Sequence, residues 1–120
     1  MTPDRRRDPE SFLPLKPVEV LILTMLSAAD RHGYGLRQDI RDHTNGQVVL
    51  EAGNLYRHVH GLEEDGLVLE VPAPRSDTDQ RRIYYRLSPL GQGVLAAELQ
   101  RLRTLVRLGE DRGIIARGRA

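Results

Sequence analysis

The chain contains no cysteine, no tryptophan and only five benzenoid aromatic residues, four tyrosines and one phenylalanine. Without cysteine there can be no disulfide, no thiol sensing and no thiolate ligand for a metal. Charge of one sign is also in short supply: 18 basic residues face 17 acidic ones, for a net charge of +1. Such a balance does not announce a nucleic-acid partner, so any basic surface has to come from local clustering. Long hydrophobic runs are missing too. The longest, Val18 to Ala29, is too short to span a bilayer. It follows Arg5 to Arg7 and ends in Ser27, Ala28 and Ala29, the outline of a twin-arginine signal. Pro17 and Glu19 break its start, and Asp8 and Glu10 dilute the basic region, so a cytoplasmic protein with no membrane partner is expected.

What is present suits one globular domain. At 120 residues with 39% apolar and 29% charged content, the chain can bury about two thirds of its unfolded surface in a single core. Val18, Leu21, Ile22, Met25, Leu26 and Ala29 recur at helical spacing and predict a first helix from Pro17 to about Asp30. Arg31 and His32 read as a tight connection. Leu36 and Ile40 mark a second helix, which the turn chemistry of Asn45 and Gly46 ends. The stretch from Gln47 to Glu51 reads as a connector or a very short strand.

The segment from 52 to 88 is the most informative. Leu55, Val59 and Leu62 line one face of a third helix, and Gly66 sits where a helix ends in a left-handed residue. Asn54, Arg57, His58 and Gly61 then share the opposite face, a narrow polar surface that fits a DNA groove. Leu67 to Val71 and Arg82 to Leu87 read as a hairpin, with Ile83, Tyr85 and Leu87 beneath and Arg82, Tyr84 and Arg86 above. Between its strands, a flexible projection is expected to carry Arg75, Gln80 and Arg81. Ser88 and Pro89 open a last helix. Its leucines Leu95, Leu99 and Leu102 step with Val106, and Leu105 and Leu108 widen the stripe. A helix that long outruns the core that three short helices offer, so it predicts a homodimer. Two-fold symmetry would set two reading helices roughly 34 to 36 Å apart along DNA, or at a multiple of that.

Other chemistries fit less well. His32, His43, His58 and His60 are the candidate metal ligands, but His58 and His60 lie two apart on a helix and point about 200° apart. No metal and no cofactor are expected. Glu63, Glu64 and Asp65 occupy an exposed helix end rather than a pocket, so no enzyme is expected either. The rival reading is a domain of this shape used only for protein contacts. Salt dependence separates the two, because DNA affinity falls steeply as salt rises.

Four blocks in order, His32-Gly33-Tyr34-Gly35-Leu36, Asn54-Leu55-Tyr56-Arg57, Leu62 to Val68, and Arg82 to Ser88 with Gly91 and Leu95, closely resemble the PadR-like transcriptional regulators. The resemblance covers about residues 12–108. It implies a mainly α fold with a small β-hairpin: a winged helix-turn-helix over 12–87 and a single C-terminal dimerisation helix over 88–112. Mobile tails are expected at 1–11 and 113–120. It further implies a repressor of double-stranded promoter DNA that dimerises through its N- and C-terminal helices and answers to a small-molecule or protein effector. Carried onto this chain, the DNA-binding set is Tyr34, Asn54, Tyr56, Arg57, His58 and His60 with Arg75, Gln80, Arg81 and Arg82 of the wing. The dimer set is Val18, Leu21, Leu95, Leu99, Leu102, Leu105 and Val106. Asn54 stands where relatives usually carry a small hydroxyl residue, and Gly61 where many carry a cation. Without tryptophan, the drug-stacking aromatic sandwich of some relatives is not expected.

Overall fold

Apolar side chains at helical spacing meet in one core in the computed structural model, which describes residues 8–118. A 3-10 helix, Pro9–Phe12, precedes α1 (Pro17–Ala28), β1 (Arg31–His32), α2 (Gly33–His43) and α3 (Ala52–Glu64). Then come β2 (Val68–Pro72), β3 (Ile83–Leu87) and the long α4 (Pro89–Asp111). Leu36 and Ile40 of α2 and Leu55, Val59 and Leu62 of α3 are fully buried, as their spacing requires. The stripe of α1 is wider than its period suggested. Leu23 is fully buried beside Ile22 and Leu26, Val18, Leu21 and Met25 are half-buried, and Ala29 is exposed. The cause is that α1 packs against α2, α3, α4 and β3 together, so two adjoining faces are covered.

Local chemistry sets the helix ends. Gly66 has φ +78°, its N–H donates to the Glu63 carbonyl at 2.9 Å, and the Leu67 N–H donates to the Leu62 carbonyl at 2.9 Å. This is the paired closure of a left-handed C-terminus, and Leu62 and Leu67 seal it in the core. Asn45 (φ 54°) and Gly46 (φ 76°) end α2 as expected. Ser88 Oγ accepts from the Gly91 N–H at 2.9 Å and donates to the Gly66 carbonyl at 2.6 Å. One hydroxyl therefore caps α4 and ties its start to the end of α3.

The sheet departs from the expected hairpin. It has three antiparallel strands in the order β1-β3-β2, because Arg31 pairs with Tyr85 and His32 with Tyr84. The supposed connection at Arg31 and His32 is thus a strand. No alternation can betray a two-residue strand whose partner lies far along the chain, Arg31 against Tyr85 and His32 against Tyr84. β3 begins at Ile83 rather than Arg82, and Ile83 is exposed although it shares a face with buried Tyr85, so the outer end of the wing overhangs the core. Pro72 closes β2 on an edge, where its missing N–H leaves no ladder bond unmade. Residues 47–51 form no strand; the Leu50 carbonyl accepts from Arg37 Nε at 2.8 Å instead.

The N-terminal segment also differs from the expected boundary. Pro9–Phe12, assigned in part to the N-terminal tail, packs on α4, because the fully buried Glu98 carboxylate accepts from the Leu15 N–H and holds this segment down. Burial would raise that carboxyl, but the bond from Arg101, the Leu15 amide and the Arg101 charge outweigh it and hold it below the usual carboxylate range. Arg5 to Arg7 and Arg119 lie outside the described residues. Among the described residues, no helix is long and apolar enough to cross a membrane.

Candidate nucleic-acid interface

Burying Leu55, Val59 and Leu62 turns the other face of α3 outward. Asn54, Tyr56, Arg57 and His60 are exposed there, and His58 is half-buried at the margin. Arg57 Nη2 donates to Asn54 Oδ1 at 3.0 Å, so the two side chains expected to read bases already lie together one turn apart. Gly61 extends this face by another turn and leaves open space beyond Arg57.

Tyr56 leans the other way, toward the start of α2. A Cβ added at Gly33 would stand 2.7 Å from the Tyr56 hydroxyl, and the Gly33 backbone does not have positive φ. Glycine is therefore suited to this position by the close approach of the tyrosine, which sequence spacing alone does not disclose. Tyr34 is 61% exposed and stacks at 6.4 Å on His32, whose Nδ1 accepts from the Gly35 N–H and caps α2. Tyr34, His32, Tyr56 and His60, with Arg81 and Arg82, line an open cleft of about 510 Å³. The concavity lies between α3 and the wing. It gathers hydroxyl, imidazole and guanidinium donors suited to phosphate oxygens. Glu70 and buried Tyr85 also border it, and burial, with Tyr56, Glu63 and Glu70 nearby, pushes the Tyr85 phenol up to about 12.

The wing is where the expected geometry changes most. Its tip is folded on itself rather than projecting freely. Gln80, expected to face DNA, donates through Nε2 to the carbonyls of Pro74 (2.9 Å) and Asp77 (2.7 Å). Asp77, whose side chain is 5% exposed, accepts from the Tyr84 hydroxyl at 2.7 Å and from the Asp79 N–H at 2.8 Å. The Tyr84 bond and the Asp79 amide hold the Asp77 carboxyl below its usual range, and the same bond raises the Tyr84 phenol. Arg82 stands 3.7 Å from Asp77, and Arg81 stands 3.2 Å from Asp79. Arg75 is exposed without an ion-pair partner among the described residues. Arg86, on the expected basic upper face, is engaged bidentately by Asp30. Asp77 was missed in the sequence because a single acidic residue in a polar loop has no spacing signal.

The dimer set divides. Leu99, Leu105 and Val106 are 43%, 49% and 50% exposed, and Val18, Leu21 and Leu102 are half-buried. Leu95 is a correction: it is 5% exposed inside the protomer's own core, because the first turns of α4 dock on the domain before the helix runs clear. Among the described residues, no group of three or more histidine, aspartate or glutamate side chains could hold a metal.

Known proteins are similar to this chain in sequence or in fold. An uncharacterised protein X of Lysinibacillus sphaericus is 29% identical over 79 residues, covering 66% of this chain and 72% of that one. A PadR family transcription regulator from Clostridium difficile superposes with a TM-score of 0.71 at 22% identity, covering 80% of this chain and 97% of its own. Bacillus subtilis PadR, solved in complex with operator DNA, gives a TM-score of 0.59 at 15% identity, covering 70% of this chain and 47% of its own. The sequence model of the transcriptional regulator PadR-like family matches residues 22–97, more than half of the chain. With the winged helix-turn-helix described above, this match places the chain in the PadR-like family of transcriptional regulators.

Proposed function

We propose that the protein is a cytoplasmic homodimer that binds a pseudo-palindromic promoter site and represses it until a small-molecule or protein effector releases the DNA. The observation that carries this reading is the outward face of α3, where Asn54 and Arg57 stand together on a helix whose opposite face is wholly buried. A helix of this width enters the major groove, and arginine and asparagine are the side chains best suited to guanine and adenine edges. Tyr34, Tyr56 and His60, with Arg75, Arg81 and Arg82 of the wing, contact the backbone on either side and fix the register. Residues 12–87 serve as the reading head, and 88–112 join two of them. The Bacillus subtilis protein solved with operator DNA supports DNA as the partner.

The test is binding of the intact chain to the DNA upstream of its own gene, located by footprinting. Arg57→Ala is expected to weaken binding by about 1 to 3 kcal/mol, the usual worth of one bidentate base contact. Affinity unchanged in both Arg57→Ala and Arg82→Ala would remove the proposed reading head.

A further inference from the structure

An acidic side chain in the wing of a DNA-binding protein should repel phosphate, yet Asp77 is the best-connected residue of this loop. Its side chain is 5% exposed and accepts from Tyr84 and Asp79 while facing Arg82. The Tyr84 ring in turn meets His32 edge-on at 5.2 Å, and His32 caps α2 through the Gly35 N–H. Arg82 Nη1 also lies 3.4 Å from His32 Nε2. A chain of contacts thus runs from the wing tip through Tyr84 and His32 to the helix pair. The wing tip has no apolar anchor of its own, since Ile83 is exposed and Pro72 and Pro74 are solvent-facing.

We infer that Asp77 is a positioning residue for sequence-specific DNA binding: it pins the wing tip to Tyr84 of β3 and, through the Tyr84–His32 contact, to the start of α2, so that the wing and the helices engage one site. The inference rests on the DNA-binding reading above. Its content is a sign. Replacing Asp77 by asparagine makes the wing more positive by one charge, which favours non-specific attachment to any duplex. The same change weakens the bond to Tyr84 and frees Arg82, which loosens the wing where specific binding needs it fixed. Affinity for a specific and a non-specific duplex should therefore move apart.

The experiment uses the intact chain, the duplex it selects most strongly from a randomised pool, and a scrambled duplex of the same composition. Asp77→Asn is expected to bind the selected duplex about tenfold more weakly, the scale of one hydrogen bond to a charged group. It should bind the scrambled duplex as tightly as the wild type or more so. Tyr84→Phe removes only the hydroxyl and leaves the ring on His32; it should lower the same ratio without changing net charge. A variant that tightens on both duplexes would make Asp77 a mere repulsive charge and overturn the inference. So would an unchanged ratio in both variants. If the wild type selects no sequence at all, the DNA-binding reading fails and the inference falls with it.

Discussion

Glu63 shows how single residues in this domain set stability against pH. It ends α3 half-buried, and its Oε1 is buried without a hydrogen-bond partner. Burial, then the nearby Glu70 charge, raises its pKa, with His60 opposing. A carboxyl raised in the folded state favours the protonated protein, so stability is full in acid and falls as pH rises through the folded value. Glu63→Gln should therefore raise the thermal midpoint at neutral pH, by about 1 kcal/mol of stability. The gain should disappear below about pH 4, where the glutamate is protonated in both states. Equal gains at both pH values in thermal melts would contradict this account. At this scale, legibility followed locality. Ser88 as a cap and Gly66 as a left-handed stop depend on neighbours a few residues away, and both were visible in the sequence. Gln80 and Asp77 were not, because their orientation depends on a loop closed against Tyr84.

At the scale of elements, α2 and α3 were readable because their apolar faces repeat at helical spacing and meet one core. β1 was not, since two residues become a strand only when β3 passes beside them. The long α4 combined both cases. Its 23 residues extend about 34 Å, and its early part is docked while its later part is bare. Spacing alone put Leu95 and Leu99 in one seam, but the protomer covers the first and exposes the second. The dimer is consequently expected to form on the later turns of α4. Replacing Leu99 and Leu102 together by glutamate should give a monomer in light scattering while circular dichroism retains the helices. A persistent dimer would reject this seam.

For the whole molecule, the net charge of +1 understates local asymmetry. Arg31, Arg81, Arg82, Arg86 and Arg101 each face a carboxylate at 3.7 Å or less. Among the described arginines of the wing, such pairing leaves Arg75 as the one without a carboxylate partner, so recognition should depend on the α3 face and on a correctly held wing more than on bulk attraction. The blocks that carry the family resemblance lie in the head and the first turns of α4, and the matched residues 22–97 stop short of the later turns of that helix. Those turns hold the proposed dimer surface, and the spacing of the half-sites that two-fold symmetry imposes reports on it. Selection of duplexes from a randomised pool by the intact chain tests reading head and symmetry together. The account predicts one shared motif with two half-sites roughly 34 to 36 Å apart or a multiple of that, lost in Arg57→Ala. Failure of the wild type to recover any shared motif at low salt would contradict it.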